Sequence, residues 1–371
     1  MSKICRLGFI VNPIAGMGGA VGLKGTDGEE ILRKAIMLGA KPIAPKRAKE
    51  FLSELKPLKD KIHLITAAGV MGEEEALECN FNPEILGVKK EKTTAEDTKE
   101  AAKKMVSMEV DLLVFCGGDG TARDILDVVD MKIPVLGVPT GVKMHSAVFA
   151  VNPKAAARIA IRFLWGELPL KEAEVMDVDE EAFRMGRVSA RLYGYMMIPY
   201  EADLVQGAKA PSPISEDEEE NKYAIAKYVV EMMEPNTIYI LGPGTTTKPI
   251  ADILKLEKTL LGVDLVCNGK LLASDVNEQK IIEAISGRKA KIIVTPIGGQ
   301  GFIFGRGNQQ ISPKVIRMVG KENIIVIATK SKIRSLKNLR VDTGDSELDE
   351  ELKGFIRVII DYGEEMVVKV K

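Results

Sequence analysis

Asp111-Leu112-Leu113-Val114-Phe115-Cys116-Gly117-Gly118-Asp119-Gly120-Thr121-Ala122-Arg123-Asp124 is the stretch that decides how this chain is read. Its first half is a short continuous apolar run, which predicts a strand over 111–116 buried on both faces. Its second half predicts a helix over 121–130. Gly117, Gly118, Asp119 and Gly120 therefore stand where a strand ends and a helix begins, the place where open α/β sheets bind their ligands. Glycines there let backbone N–H groups approach phosphate oxygens, and a helix N-terminus adds a favourable dipole. A carboxylate among phosphate donors is repelled unless it holds a metal or accepts a proton, the two roles that phosphoryl transfer needs. The bland alternative is a tight turn capped by Asp119. Thr121 and Asp124 stand at capping-box spacing, which points to a structural role for Asp124.

Outward from this stretch, β-rich runs alternate with helical patterns. Cys5–Val11 and Ile62–Thr66 read as strands, and so does Ile133–Val138 beyond the helix. Helices are predicted over 28–38, through Phe51, Leu52 and Leu55, and from Thr94 to about Met108, where Thr94 and Asp97 form a capping-box start. This is the pattern of a doubly wound, Rossmann-like α/β half, residues 1–150. After a helix at about 153–166 the β patterns become shorter and denser, predicting a β-rich second domain over 151–371 with an acidic insertion near 210–222. Within it, Asn268-Gly269 is a hairpin turn signal.

Composition narrows the function. At 371 residues the chain suits two domains, since domains cluster at roughly 100 to 200 residues. The 52 basic residues nearly cancel the 53 acidic ones, so neither nucleic acid nor an anionic membrane is an expected partner, and any phosphate must be captured locally. No apolar run approaches the roughly 18 residues that span a bilayer, and Met1-Ser2-Lys3 runs straight into a strand with no signal-peptide pattern. A cytoplasmic protein is expected. Cys5, Cys79, Cys116 and Cys267 show no C-x-x-C spacing, so they suggest neither a zinc site nor a redox motif. No G-x-x-x-x-G-K-[ST] run supports a P-loop.

Gly117–Thr121 resembles the G-G-D-G-T motif of NAD kinases and of the related diacylglycerol and sphingosine kinases. Asn12-Pro13-Ile14-Ala15-Gly16 is similar to the N-P-x-x-G element of that superfamily, and Ile133–Gly141 is similar to the segment that follows G-G-D-G-T. The chain resembles the archaeal branch called ATP-NAD kinase or acetoin-catabolism X-like along nearly its whole length. Its recognisable blocks are 141–146, 242–249, 296–301 and 307–310. The resemblance implies a Rossmann-like amino-terminal domain, a β-rich carboxy-terminal domain and a nucleotide in the cleft between them. It also implies Mg²⁺ or another divalent cation, with ATP or polyphosphate as phosphoryl donor and NAD as acceptor. The Asn-Glu pair with which NAD kinases hold NAD has no counterpart here, nor does the aromatic after their G-S-T block, so another small-molecule hydroxyl stays open as the acceptor. A nucleotide- or metal-binding regulator without transferase activity is the alternative of a different class.

The expected site follows. Asp119 is the catalytic base or metal organiser. Asn12, Gly117, Gly118, Gly120, Thr121 and Lys143 bind nucleotide or phosphate. Gly244, Thr245 and Thr246 stand where NAD kinases have their G-S-T block, a second anion or ribose site whose plain alternative is helix capping by Thr246 or Thr247. Lys248 supplies a charge or is simply solvated. His145 is expected to be structural. Gly16 to Gly19, with Gly22, form a glycine-rich loop. Asp342 and Asp345 flank a glycine and are candidate metal ligands beside Asp119, with Asp264 and Asp275 as further acids at strand ends. Gly298–Gly301 and Asn308–Gln310 offer hydrogen-bonding groups suited to a base or ribose. The expected partners are a small-molecule nucleotide substrate and, in a homo-oligomer, further copies of this chain.

Overall fold

The computed structural model describes residues 4–23, 29–140, 144–178, 190–202, 204–205 and 216–371. The chain divides into two compact units. The first takes residues up to 17 and those from 29 to 205, and the second gathers residues 18–23 and 216–371. This division differs from a boundary at 150 by the helix Pro153–Leu164 and an antiparallel strand pair, whose contacts run to the first unit.

The first unit is built on five strands, β1 (Cys5–Val11), β2 (Ile62–Ala67), β3 (Glu84–Leu86), β4 (Leu112–Gly117) and β5 (Val135–Pro139), in the order β3-β2-β1-β4-β5. Every neighbouring pair is parallel. Its helices are α1 (Glu29–Met37), α2 (Ala44–Leu55), α3 (Glu73–Glu78), α4 (Ala95–Ser107), α5 (Asp119–Val129) and α6 (Pro153–Leu164). All six residues of β4 are buried, as its unbroken apolar run requires. At the start of α4, Thr94 N and Oγ1 donate to Asp97 Oδ2 at 2.8 and 2.9 Å, the expected reciprocal start. α5 buries Ala122, Ile125 and Val129, spaced to share one face. Phe9 stacks on Phe51 at 5.7 Å and Phe115 meets Phe149 edge-on at 5.4 Å, so large rings fill both faces of the sheet. β6 (Leu170–Val178) and β7 (Ala190–Pro199) form the antiparallel pair, packed on α5 and β5.

The second unit carries a seven-stranded mixed sheet. Its strands are β8 (Ile238–Leu241), β9 (Asp264–Cys267), β10 (Lys270–Ala273), β11 (Ala290–Val294), β13 (Ile324–Ile327), β15 (Gly354–Asp361) and β16 (Glu364–Val370). Between them in sequence, β12 (Phe302–Phe304) and β14 (Arg340–Val341) form a separate parallel pair. The order is β10-β9-β8-β11-β13-β15-β16, with a parallel centre from β8 to β15 and antiparallel edges. Asn268, at φ 51°, and Gly269 make the expected hairpin turn between β9 and β10. One face of the sheet packs Ile225, Ala226 and Val229 of the helix Glu216–Glu231 and Ile250 of the helix Lys248–Ile253. The other packs Ile281 and Ile285 of Glu278–Ile285 and Val315 and Ile316 of Pro313–Val319. Both units are therefore α/β, the first on a parallel sheet and the second on a mixed one. Among the described residues no helix is long and apolar enough to cross a membrane.

Candidate functional site

In the first unit the connections from β1 run outward through β2 to β3, whereas β4 leads the other way to β5. The β1/β4 boundary is thus the topological switch point, the place where sheets of this kind bind their ligands. Asn12 ties the two loops together. Its N–H donates to Cys116 O at 2.9 Å and its Nδ2 donates to Thr121 Oγ1 at 2.9 Å, while its Oδ1 accepts from Ile14 N at 3.3 Å. The Thr121 hydroxyl is therefore an acceptor for Asn12 rather than a helix cap. α5 begins two residues earlier, at Asp119, because Gly118 takes the N-cap position, and this displaces the capping box read from Thr121 and Asp124.

The glycines differ in purpose. A Cβ on Gly117 would lie 2.5 Å from Thr121 Oγ1, so glycine is required for the turn to close over Thr121. At Gly118 φ is −117° and a Cβ would meet nothing within 4 Å. Neither strain nor packing asks for glycine there, and the space above it is open. Gly118 has no side chain to cap α5, so the N–H groups of the first turn are left to an outside acceptor.

Asp119 fastens a second loop to this helix start. Its Oδ2 accepts the N–H of His145 at 2.8 Å and its Oδ1 accepts that of Ser146 at 2.9 Å. The His145 ring is buried, with Nδ1 3.5 Å from Asp119 Oδ2 and no hydrogen-bond partner. Thr140, which closes β5, donates its N–H to Gly117 O at 3.2 Å and keeps a buried hydroxyl without a partner. Gly16, at φ +80°, lies flat on Thr140: a Cβ would come within 2.0 Å of Thr140 O. Asn12, Gly117, Gly118, Asp119 and Thr121 are thus brought together with Gly16, Thr140 and Ser146. Thr140 was not among the expected site residues, and Ser146 entered only as the last residue of the block 141–146. Lys143 lies outside the described residues.

Burial pushes the Glu75 carboxyl up to about 7, reinforced by Glu74 and Glu78 and opposed by its backbone hydrogen bond and by Lys49. The Cys116 thiol is pushed well above its usual value by burial, with the Glu75 charge adding to it.

In the second unit β8 leads to a helix on one face and β11 toward a helix on the other, so the β8/β11 boundary is that sheet's own switch point. Gly244 sits there at φ +131°, with its N–H donating to Leu260 O at 2.9 Å. Thr247 closes the turn, its hydroxyl donating to Gly242 O at 2.8 Å and Gly244 O at 3.0 Å. Thr246 is buried and Thr245 exposed. Lys248 pairs with Asp252 at 3.0 Å on the surface, the solvated reading of that lysine. Thr295, at the end of β11, has a buried hydroxyl without a partner, and its Cγ2 would stand 2.9 Å from a Cβ on Gly244.

The second-unit aspartates have structural uses. Asp342 Oδ2 accepts from Arg306 Nε at 3.2 Å, both side chains being buried. Asp345 caps the helix Ser346–Leu352, accepting from Leu348 N at 3.0 Å, and pairs with Arg317. Asp264 is fully buried against Lys258 at 3.4 Å. Among the described residues no group of three or more His, Cys, Asp or Glu side chains is placed to hold a metal ion.

Residues 7–168 match the family model of the ATP-NAD kinase N-terminal domain, and residues 236–370 match that of the ATP-NAD kinase C-terminal domain. No curated protein matches the chain. Among solved structures, a protein of Bacillus anthracis strain Sterne assigned as a diacylglycerol kinase is 18% identical, covering 48% of this chain and 47% of its own, with a TM-score of 0.25. The chain thus spans about half the length of that protein. The UDP-GlcNAc 2-epimerase of Methanocaldococcus jannaschii is 13% identical over 96% of this chain and 89% of its own, with a TM-score of 0.24. Likenesses at that level carry no weight for fold or chemistry.

Proposed function

We propose, from the premise that this chain belongs to the ATP-NAD kinase family, that it transfers a phosphoryl group from ATP or polyphosphate to a hydroxyl of NAD, giving NADP. The observation that carries the reading is the uncapped start of α5 at the β1/β4 switch point, open above Gly118 and bearing Asp119 in its first turn. Phosphoryl transfer asks the protein chiefly for positioning and charge stabilisation. The first-turn N–H groups of α5 suit a phosphate. Asn12 and Thr121 hold the two loops in register around it. Each oxygen of Asp119 accepts one backbone N–H, which fixes the carboxylate and leaves further acceptor positions for the proton of an attacking hydroxyl.

The family implies a divalent cation. One carboxylate fits a Mg²⁺ that arrives on nucleotide phosphates, since such ions take only one or two protein carboxylates, and Asp119 is the residue that would hold it. Bound there, it would neutralise charge developing on the phosphoryl oxygens. A kinase of another small-molecule hydroxyl is the alternative, favoured by the missing Asn-Glu pair.

The deciding experiment incubates purified protein with Mg²⁺, ATP or polyphosphate, and NAD, and follows NADP by mass spectrometry. Product with another acceptor from a panel of nucleosides and sugars would change the substrate. Binding without product from any of them would replace a kinase by a binding protein.

A further inference from the structure

A cavity of about 300 Å³ lies beside α4 at the carboxyl ends of β2 and β3, and every residue that lines it belongs to the first unit. Its apolar lining includes Ala68, Met71, Leu86 and Ala101, together with Val88, which is 76% exposed. The backbone holds this space in shape. Ala68 N–H donates to Leu86 O at 3.1 Å, joining the loops that leave β2 and β3, and Gly69 N–H donates to Glu73 Oε2 at 2.6 Å, fastening the first of them to α3. Ligand cavities are usually preformed in this way.

Four charged side chains also line the cavity, and they cancel. Lys90 pairs with Asp97, and Glu100 and Lys104 add one charge of each sign. Such a lining gives no net attraction to a phosphate or a carboxylate, while its apolar part favours an uncharged body. The volume is at the small end of ligand cavities, which suits one part of a larger molecule.

The strand register says which molecule. Phe9 of β1 pairs with Thr66 on one side and Val114 on the other, and Ala67 pairs with Leu86. Ala67 and Leu86 therefore stand level with Phe115, two residues before Gly117, on the same carboxyl edge of the sheet. β2 is two strands from β4, roughly 10 Å at the usual strand spacing. A nucleotide spans about that distance between its base and its outer phosphates. We propose that this cavity takes the uncharged base of a nucleotide whose phosphates lie on the first turn of α5. The inference rests on the kinase reading, whose phosphate site it shares, and it gives that site a preference for nucleotides over bare phosphate chains.

The test measures Kd by calorimetry, with Mg²⁺, for ATP, NAD and inorganic tripolyphosphate, a phosphate chain without a base. It compares the wild type with Ala101→Met, whose longer side chain enters the cavity. Ala101→Met weakens a nucleotide about tenfold relative to tripolyphosphate while the Tm holds. Weakening of ATP assigns the base to the donor, weakening of NAD assigns it to the acceptor, and weakening of both means that either base enters. An equal effect on all three ligands, or none on any, overturns the proposal, and so does a wild type that binds neither ATP nor NAD. Val88→Asp, which sets a charge beside the base from an exposed position, repeats the test with the same expectation if Ala101→Met does not fold. Product formation from ATP and NAD is followed separately. If the wild type forms none, the kinase reading falls, and the Kd values still decide for or against the base in this cavity.

Discussion

Asp119 Oδ1 accepts the backbone N–H of Ser146 at 2.9 Å, so the carboxylate at the start of α5 is also the clasp of a loop 27 residues further on. An amide there keeps one oxygen but turns an NH₂ toward a backbone donor. Asp119→Asn is therefore expected to lower kcat by about 10²–10⁴, through loss of the proton acceptor, with a smaller cost in stability from the loosened clasp. Steady-state kinetics beside thermal unfolding separates the two. A folded Asn variant with near-normal kcat would remove Asp119 from the chemistry.

Gly118 and Gly16 make opposite predictions. Gly118 has an ordinary φ and open space at its Cβ, so Gly118→Ala should leave the Tm almost unchanged while raising the KM for ATP about tenfold, because its methyl enters the space proposed for phosphate. Gly16 has φ +80° and a Cβ position 2.0 Å from Thr140 O, so Gly16→Ala should destabilise by about 2 kcal/mol or more. Paired denaturation and kinetic measurements check both. A Gly118→Ala protein with unaltered KM would show that the open space is not used.

What the sequence disclosed follows from which interactions are local. The strand–loop–helix at 112–129 was legible because a continuous apolar run and three glycines mark it without outside help. The Thr94–Asp97 start was legible for the same reason, both partners lying within one turn. Thr121 was misread as the start of a capping box because its partner, Asn12, is 109 residues away and no spacing rule reaches that far. Thr140 and the role of Ser146, a residue of the block 141–146, were not legible for the same reason, since they join the site only through the register of β5 and the reach of Asp119. β6 was missed because Lys171-Glu172-Ala173-Glu174 carries helix-favouring residues, and its pairing with β7 overrides that preference. The short helices of the second unit, such as Lys330–Ser335 and Ser346–Leu352, span too few residues for a period to show.

The buried pair Lys258–Asp264 should behave as a unit. Asp264 also accepts from Thr259 N at 2.9 Å and Asp275 N at 2.8 Å, and Lys258 Nζ donates to Thr259 O at 2.9 Å. Burial lowers the Lys258 pKa against the opposing pull of Asp264. Asp264→Ala leaves that ammonium uncompensated and strands two N–H donors, a loss of about 3–5 kcal/mol. Lys258→Met with Asp264→Leu should lose less than Asp264→Ala alone in urea denaturation. A single variant as stable as the wild type would show that the pair does not hold the 258–264 loop.

Glu75 gives a stability that depends on pH, with a definite sign. Its carboxyl is raised from 4.5 to about 7, chiefly by burial, with Glu74 and Glu78 adding and Lys49 opposing. The folded protein thus binds this proton more tightly than the unfolded chain. The resulting stabilisation is complete below about pH 4.5, fades as pH rises and is gone above about pH 7, where a buried charge must be carried. Glu75→Gln stays neutral throughout. Relative to the wild type it should be more stable by on the order of 2 kcal/mol at pH 8 and no more stable at pH 4.5. Urea midpoints at both pH values measure the difference directly. A gain that did not grow with pH would mean that Glu75 reaches solvent when ionised, and its charge would then have no bearing on Cys116 and the Gly117 turn that follows it.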